Sequence, residues 1–439
     1  MEYLKKLVLK FIGKNQLKRT LIKNTGFMFG GDIATKFFRL LIILILGKIL
    51  SPNEYGQLFE AMAVVLVVSE LIDVRIGEAV TKFATDYIVK NQKNKALSII
   101  KIGYLVDALL GILCFCIVML IGDIVAQKVF HGHISSKLIK IYALAPLFST
   151  VNGTSLAIIQ TFKKFKIMSI FNASSAFARF VFPVSLVGLG LKYIMFGYVL
   201  AAFIPAVCLS VVVLKLIRTQ FKGIRASNIL PEIRKILPFT LHTTISVTFK
   251  SVIRQMDVVL LGFFKSPEIV AYYKIALAYV NVLGFVTGPV GTVVYPTLTS
   301  LWAEKNVLLY RKILRKISWA MIFISGAGAA AMIIAGPYIL KIWKPIYCLN
   351  SMPAIRVMIF AIVVSNIFCW MRSTILSVGK PYISTIGNIS GALTLVLASF
   401  LLVPWLGLIG MAITYVVVYV VITLIELSML KKVVFNYEF

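Results

Sequence analysis

Acidic side chains are scarce in this 439-residue chain, where 16 Asp and Glu residues stand against 46 Lys and Arg, for a formal net charge of +30. Charged residues of both signs make up only 14% of the chain, whereas 60% of it is hydrophobic. Soluble domains are about half apolar and about a quarter charged, so the composition excludes an ordinary soluble globular protein. The basic residues cluster between apolar runs, which is typical of membrane-protein loops and not of a nucleic-acid-binding surface.

Cysteine is also scarce, and its distribution excludes a disulfide framework. The five cysteines, four inside apolar runs and one in a loop, are Cys114, Cys116, Cys208, Cys369 and Cys348. No pair has the spacing of a zinc or redox site, and His131 with His133 offers too few ligands for a metal. Walker, GxSxG and HExxH motifs are absent as well. We therefore expect no metal, no cofactor and no enzymatic activity.

Long apolar runs recur from residue 24 almost to the C-terminus. A helix needs roughly 20 mainly apolar residues to cross a bilayer, and about twelve runs satisfy this length. The predicted spans are 24–46, 56–81, 97–121, 138–160, 167–189, 194–215, 237–263, 270–299, 317–340, 352–376, 382–403 and 407–430. The predicted fold class is therefore all-α, a polytopic membrane protein with short loops.

Basic residues set the expected topology and the domain boundaries. Residues 1–23 are predicted to form a basic amphipathic helix on the cytoplasmic surface, and residues 216–236 a basic cytoplasmic linker. An N-lobe of six spans is predicted at 24–215, between the amphipathic helix and the linker. A C-lobe is predicted at 237–432, after the linker, and a cytoplasmic tail at 433–439. Because basic residues concentrate in alternate loops, the positive-inside rule places both termini in the cytoplasm of a multi-pass cell-membrane protein.

An internal repeat relates the two predicted lobes. Residues matching at a shift of 215 are Leu46-Gly47 with Leu261-Gly262 and Ser51-Pro52 with Ser266-Pro267, and residues 164–176 resemble 380–392 at a shift of 216. Two distant stretches in nearly one register indicate duplication. Six spans per copy predict a parallel pseudo-two-fold repeat, with a substrate site near the midplane between the lobes.

Cationic side chains inside the predicted spans indicate an anionic ligand. Arg39 and Arg254 correspond at the repeat shift, Lys36 and Lys250 lie near them, and Arg179 is near the middle of the fifth span. A mid-span charge costs a few kcal/mol and therefore faces protein or water. Since guanidinium groups bind phosphate oxygens in bidentate pairs, we expect these five residues to line a cationic cavity. Snorkelling to the headgroups is the alternative for those near a span end.

Three acidic residues in the predicted spans are candidates for carrying a coupling proton or sodium ion: Asp32, Glu60 and Asp257. For two of them the alternative is an ion pair within their own helix. Asp32 is spaced i,i+4 from Lys36, and Asp257 is spaced i,i+3 from Arg254, so each pair can neutralise itself along its helix. Both readings remain open.

Four motifs along the chain resemble a known family. They are Leu46-Gly47-Lys48-Ile49-Leu50-Ser51-Pro52-Asn53-Glu54-Tyr55-Gly56, the Asp257, Leu261-Gly262 and Ala271–Ala276 group, Tyr295-Pro296-Thr297-Leu298, and Val403–Gly410. Together they are similar to the oligosaccharide flippases of the polysaccharide biosynthesis family. That family belongs to the MOP exporter superfamily, which also includes multidrug-extrusion (MATE) proteins and lipid II flippases.

The resemblance implies two lobes that open alternately to either side of the membrane. It implies a flippase that carries a polyisoprenyl-diphosphate-linked oligosaccharide from the cytoplasmic to the outer leaflet for cell-surface polysaccharide biosynthesis. Expected partners are this lipid-linked oligosaccharide, membrane lipids, a polysaccharide polymerase and other glycan-assembly proteins, but no nucleic acid. The alternatives are a multidrug/cation antiporter of the same fold and a scaffold for sugar-synthesis enzymes. Cationic drugs require acidic or aromatic groups, whereas the deep charges here are mainly basic.

Overall fold

A computed structural model describes residues 30–228 and 253–435, together with residues 233, 244, 248, 249 and 251 between them. The predicted amphipathic helix 1–23, most of the C-terminal tail and Lys250 lie outside the described residues. The described chain is almost entirely helical and contains no strand.

Nine helices lie within residues 30–228. They are α1 (30–49), α2 (Pro52–Ile72), α3 (Ile76–Val89), α4 (Lys93–Ile124), α5 (Ser136–Tyr142), α6 (Leu144–Ser149), α7 (Asn152–Thr161), α8 (Phe165–Ser185) and α9 (Leu191–Gln220). A π-helical turn, Val125–Val129, extends α4, and a 3₁₀ turn, Val187–Leu189, follows α8.

Seven helices lie within residues 253–435. They are α10 (253–264), α11 (Pro267–Asn281), α12 (Thr287–Ala303), α13 (Val307–Trp343), α14 (Pro345–Ile367), α15 (Met371–Ser377) and α16 (Tyr382–Leu430). A 3₁₀ segment, Val282–Val286, joins α11 to α12, and a π-helical turn, Lys431–Phe435, follows α16.

The repeated Ser-Pro pair marks the start of a helix in each half of the chain. Ser51 caps α2 by accepting a hydrogen bond from the Glu54 backbone amide at 3.3 Å, and the Glu54 side chain accepts one from the Ser51 amide at 3.0 Å. Proline occupies the first turn of α2, where its missing amide proton has no intrahelical acceptor. Ser266 and Pro267 stand at the same positions of α11.

The prediction of one continuous span at 56–81 is wrong. The helix ends at Ile72 and resumes at Ile76 because Asp73 is extended and Arg75 adopts a left-handed backbone with φ of 48°. Charged Asp73 and Arg75 stand at the break in 56–81, and apolar length alone did not take them into account. Predicted span 138–160 lies within one helical segment, Ser136–Thr161, that is long and apolar enough to cross a membrane, although turns at 143 and 150–151 divide it into α5, α6 and α7.

Within the described residues, eight helical segments are long and apolar enough to cross a membrane. One of them, α16, is a hairpin rather than a single rod. Gly407 has φ of 54°, outside the helical region, and Gly410 packs against the Leu402 backbone. Further along the arms, Gly391 contacts Ile422. The arms match the predicted spans 382–403 and 407–430, while the total of twelve spans stays a prediction.

The described residues form two compact units. The first takes residues from Met1–Ile42, Arg75–Leu113 and Leu144–Thr240. The second takes residues from Ile43–Val74, Cys114–Ala143 and Leu241–Phe439. The second unit therefore contains helices from both halves of the sequence, and the division into an N-lobe and a C-lobe remains a prediction.

Small residues bring helices close together in the core of the first unit. Ala79 and Ala84 of α3 are fully buried, together with Ile99 of α4 and Ile158 of α7. Gly77 approaches α7 so closely that a methyl group on it would lie 2.7 Å from the Gly153 carbonyl oxygen. Such contacts favour helix association where lipid provides no hydrophobic drive.

Replacing Gly77 with alanine is expected to lower the melting temperature in detergent. The added methyl group must push α3 from α7, and overpacking of this kind costs about 1–3 kcal/mol. Gly326→Ala is the matched control, because that exposed glycine in α13 has nothing within 4 Å of its substituent. Equal or higher stability of Gly77→Ala than of Gly326→Ala would contradict this packing.

Candidate functional site

Helices α1 and α8 run side by side in the first unit. Near their N-termini, Gly31 lies directly against Ser169. Two turns further along, the Phe38 ring contacts Phe177 and Phe180, with centroid separations of 5.3 and 5.9 Å. Because both contacts advance in the same direction along the two helices, α1 and α8 are parallel.

This packing brings two of the predicted cavity residues to the same level. Arg39 follows Phe38 on α1, and Arg179 lies between Phe177 and Phe180 on α8. Both arginine side chains are exposed. Since a guanidinium group deep in a span faces water or protein, the two arginines provide positive charge at one depth of this unit.

Lys36 lies one turn before Arg39, but it has a carboxylate partner. Its Nζ is 3.0 Å from Oδ2 of Asp32, so the i,i+4 pair that the sequence allows is formed. The Lys36 side chain is 31% exposed and that of Asp32 is 59% exposed. Asp32 therefore compensates part of the positive charge of α1, and an ion-coupling role for it remains a prediction.

The second unit holds Arg254 and Asp257 on α10. Among the described residues, the Asp257 carboxylate binds partners other than Arg254. Asp257 is buried and accepts hydrogen bonds from the Tyr273 hydroxyl at 2.8 Å and from the Val258 amide at 2.7 Å. Arg254 is exposed. Arg254 stays a predicted cavity residue, and the predicted role of Asp257 in ion coupling is untested.

Glu60 has the most unusual surroundings of the predicted residues. Its side chain on α2 is 1% exposed, and neither carboxyl oxygen has a hydrogen-bond partner among the described residues. A methyl group on Gly262 of α10 would lie 2.7 Å from Glu60 Oε1 and 2.7 Å from the Phe130 ring. The carboxyl group is thus packed against the backbone of α10 at Gly262, and the Phe130 ring lies close to the same glycine.

Lys344, which precedes α14, was not among the predicted site residues. Its Nζ donates hydrogen bonds to the carbonyl oxygens of Gly47 at 3.0 Å and Leu50 at 2.6 Å. These carbonyls end α1, where backbone acceptors lack intrahelical donors and the helix dipole favours a cation. Burial lowers the pKa of Lys344, and the Glu54 carboxylate opposes that shift.

An aromatic cluster surrounds this lysine and also joins the two halves of the sequence. The Tyr347 ring stacks on Trp343 at 5.4 Å and contacts Tyr272 at 5.6 Å and Tyr55 at 6.5 Å. Tyr55 and Tyr347 are fully buried. Together with Lys344, these rings hold the predicted outer ends of α1 and α2 against those of α11, α13 and α14.

A signal for Lys344 is present in the sequence. Basic residues in predicted outer loops, such as Lys341 and Lys344 at 341–351, run against the positive-inside bias and require a local explanation. Lys265 is another example, since its Nζ donates to the Pro404 carbonyl at 2.9 Å, at the tip of the α16 hairpin. Such lysines satisfy backbone carbonyls at helix ends.

Part of the chain matches a known protein family. Residues 21–302 match the family described as polysaccharide biosynthesis protein. A curated relative, an uncharacterized membrane protein of Methanocaldococcus jannaschii, is 24% identical over 239 residues, which are 54% of this chain and 47% of the relative. The chain therefore spans about half the length of that relative.

Several solved structures share the fold over most of the chain. An inward-facing multidrug resistance MATE family transporter of the MOP superfamily has a TM-score of 0.73 at 15% identity, covering 91% of this chain and 96% of its own. The lipid II flippase MurJ in an inward closed conformation gives 0.70 at 16%, covering 91% and 87%. A Pyrococcus furiosus MOP superfamily transporter, described as having a binding pocket of reverse polarity, gives 0.65 at 14%, covering 94% and 95%.

Replacing Lys344 with methionine is expected to loosen the end of α1. Hydrogen bonds to a charged group contribute about 1.5–3 kcal/mol, so amide exchange in residues 47–56 should rise at least about tenfold. Hydrogen–deuterium exchange with mass spectrometry measures this change. Lys48→Met serves as the control, because Lys48 is an exposed lysine in the last turn of α1. Equal exchange in the two variants would show that the Lys344 contacts are dispensable.

Proposed function

We propose that this chain, which belongs to the polysaccharide biosynthesis protein family and has the fold of MOP superfamily transporters, flips a lipid-linked oligosaccharide across the cell membrane. The cargo is a polyisoprenyl-diphosphate-linked glycan that moves from the cytoplasmic to the outer leaflet for cell-surface polysaccharide biosynthesis. The family supports the link to polysaccharides. The fold supports transport, since it includes a flippase of lipid II and a multidrug transporter.

One observation carries the choice of an anionic cargo. Arg39 and Arg179 present exposed guanidinium groups at the same level of two adjacent, apolar helices. A diphosphate loses hydration on entering the membrane, and paired guanidinium groups replace that hydration with bidentate hydrogen bonds. Arg254, which matches Arg39 at the repeat shift, is the proposed contribution of the second unit. Lys36 and Lys250 are secondary candidates.

The direction of movement follows from the charge of the cargo. Because the cell interior is negative, moving a diphosphate outward is favoured by roughly 2.3 kcal/mol per charge per 100 mV. The remaining obstacle is the desolvated charge at the midplane, which the arginines would lower. Both termini then lie in the cytoplasm, as the basic loops predict, and a polysaccharide polymerase on the outer side is the proposed recipient.

Alternating access requires one side to close while the other admits cargo. In the second unit, Gly56 of α2 lies against the Pro267 backbone of α11, and Lys344 binds the end of α1. These contacts join the halves of the sequence at their predicted outer ends. Under the proposal, they close the route to the outside while the glycan lipid enters from the cytoplasmic leaflet.

A multidrug/cation antiporter is the second candidate, favoured by the TM-score of 0.73 to a MATE transporter. An antiporter of cationic drugs needs accessible carboxylates. Of the three predicted acidic residues, Asp32 is paired with Lys36, and both Asp257 and Glu60 are buried. Arg39, Arg179 and Arg254 are exposed, whereas Asp32 is the one exposed carboxylate of the three and is paired with Lys36, so the arrangement favours an anionic cargo.

Flipping of a fluorescent polyprenyl-diphosphate oligosaccharide in proteoliposomes tests the proposal. We expect the Arg39→Ala, Arg179→Ala double variant to lose at least about tenfold in initial rate, because each lost charged hydrogen bond costs about 1.5–3 kcal/mol. The Arg39→Lys, Arg179→Lys double variant should have a rate between those of the wild type and the double alanine variant, since it keeps the charge but loses the bidentate geometry. Arg254→Ala alone measures the contribution of the second unit.

Arg218→Ala is the matched control, because Arg218 is exposed in the last turn of α9, away from mid-span. Wild-type flipping by the double arginine-to-alanine variant would exclude the cationic site. If folded wild-type protein flips no glycan lipid but exports cationic dyes, the antiporter is the correct function.

A further inference from the structure

The enclosed carboxyl group of Glu60 lies where helices from the two halves of the sequence meet. Glu60 belongs to α2 and is buried, its contact Gly262 belongs to α10, and the Phe130 ring lies close to the same glycine. Since Gly262 has no side chain, the carboxyl oxygen reaches the backbone surface of α10. Neither oxygen of Glu60 has a hydrogen-bond partner among the described residues. A charged carboxylate here would be both desolvated and unpaired, which is very costly.

The contact has an apolar counterpart at the shift of the sequence repeat. The shift of 215 that relates Gly47 to Gly262 also relates Glu60 to Ile275. Correspondingly, a methyl group on Gly47 would lie 3.1 Å from Ile275 and 3.0 Å from Trp343. Both contacts therefore consist of a glycine, an aromatic ring and a third side chain. Glu60 takes the position that an isoleucine fills in the other contact, so the site is built for an uncharged group.

Charged side chains of α10 and α11 near this contact have other partners. Asp257 of α10 accepts its hydrogen bonds from Tyr273 and Val258. The Lys274 ammonium of α11 lies 5.1 Å from the centroid of the Phe59 ring. Neither of these groups hydrogen-bonds to Glu60, whose two carboxyl oxygens have no hydrogen-bond partner among the described residues.

Titratable side chains next to Phe130 and on α5 also have other partners. His131, next to Phe130, has its Nε2 at 3.2 Å from the Phe263 carbonyl oxygen. Lys140 of α5, which packs against α2, donates to Asp123 at 2.6 Å. A metal cation at Glu60 would need several oxygen ligands. A proton is the one cation that a single carboxyl group binds fully.

We propose that Glu60 is a proton-binding site that controls closure of the outer side: its carboxyl group is protonated when α2 and α10 are in contact, and ionisation separates them. The inference rests on the proposed transporter function, and it identifies the ion that binds at Glu60 as a proton rather than sodium. On separation, water reaches the carboxyl group, which releases its proton to that water. A proton taken from the same side must then bind before the contact closes again. Acid outside the cell thus favours the closed outer side.

Distances between spin labels at the predicted outer ends test this inference without any glycan cargo. Labels at Asn53→Cys and Asn350→Cys report on the contact, since both residues are exposed and lie in different halves of the sequence. The five native cysteines are first replaced. We expect the separated population in wild-type protein to grow as pH rises, by up to tenfold per pH unit, the limit for release of one proton. Sodium at constant pH should leave it unchanged.

Three variants assign the response to Glu60. Glu60→Gln imitates the protonated carboxyl group, and Glu60→Ile reproduces the apolar counterpart, so both should keep the contact closed at every pH. Glu268→Gln is the control, because Glu268 is an exposed glutamate at the start of α11, and it should keep the wild-type pH profile. His131 and Lys344 remain in all three variants.

Two results would overturn the inference. One is an unchanged pH response in Glu60→Gln, which would assign it to His131, Lys344 or another group. The other is a separation that responds to sodium and not to pH. Failure of the cargo proposal is a separate outcome: protein that shows the Glu60-dependent response but flips no glycan lipid retains the proton site and loses only the proposed cargo.

Discussion

Hydrocarbon provides no hydrogen-bond partner, and this constraint explains both the helices and the charges of this protein. Every backbone group in a span must be paired within the chain, which α-helices accomplish locally. At helix ends the pairing needs help, and it comes from side chains such as Ser51 at the start of α2 and Lys344 at the end of α1. Lys265 plays the same part at the tip of the α16 hairpin. The same constraint makes each charged side chain in a span expensive, so those that persist are expected to have a function.

The second unit brings the two halves of one sequence into close contact. Glycines at the interface let backbones approach without interdigitating side chains, as Gly56 does at Pro267. Aromatic rings around Tyr347 fill the remaining space. An enclosed carboxyl group placed in such a surface has a large effect, since a single charge there opposes the whole contact.

The predicted spans agree with the structure where apolar length decides, and they fail where backbone geometry decides. The run 97–121 is contained in α4, and the two final spans are the arms of a hairpin turned at Gly407. The run 56–81 is broken where Asp73 is extended and Arg75 adopts a left-handed conformation, a backbone geometry that apolar length does not reveal. Of the charged pairs that spacing allowed, Asp32 with Lys36 is formed. Asp257 instead takes Tyr273, which is 16 residues away, as its partner.

Transfer of side chains from water to lipid is nearly additive along the chain, so the sequence by itself determined the membrane class, the approximate spans and the expected topology. Its motifs also determined the family, which the match over residues 21–302 shows. Tertiary structure alone decided which polar groups have partners. Arg39 lies at the level of Arg179, and Lys344 reaches the end of α1. The Glu60 carboxyl group lies against Gly262 and has no hydrogen-bond partner among the described residues. These contacts join residues far apart in the chain, and they depend on how helices pack rather than on any local pattern.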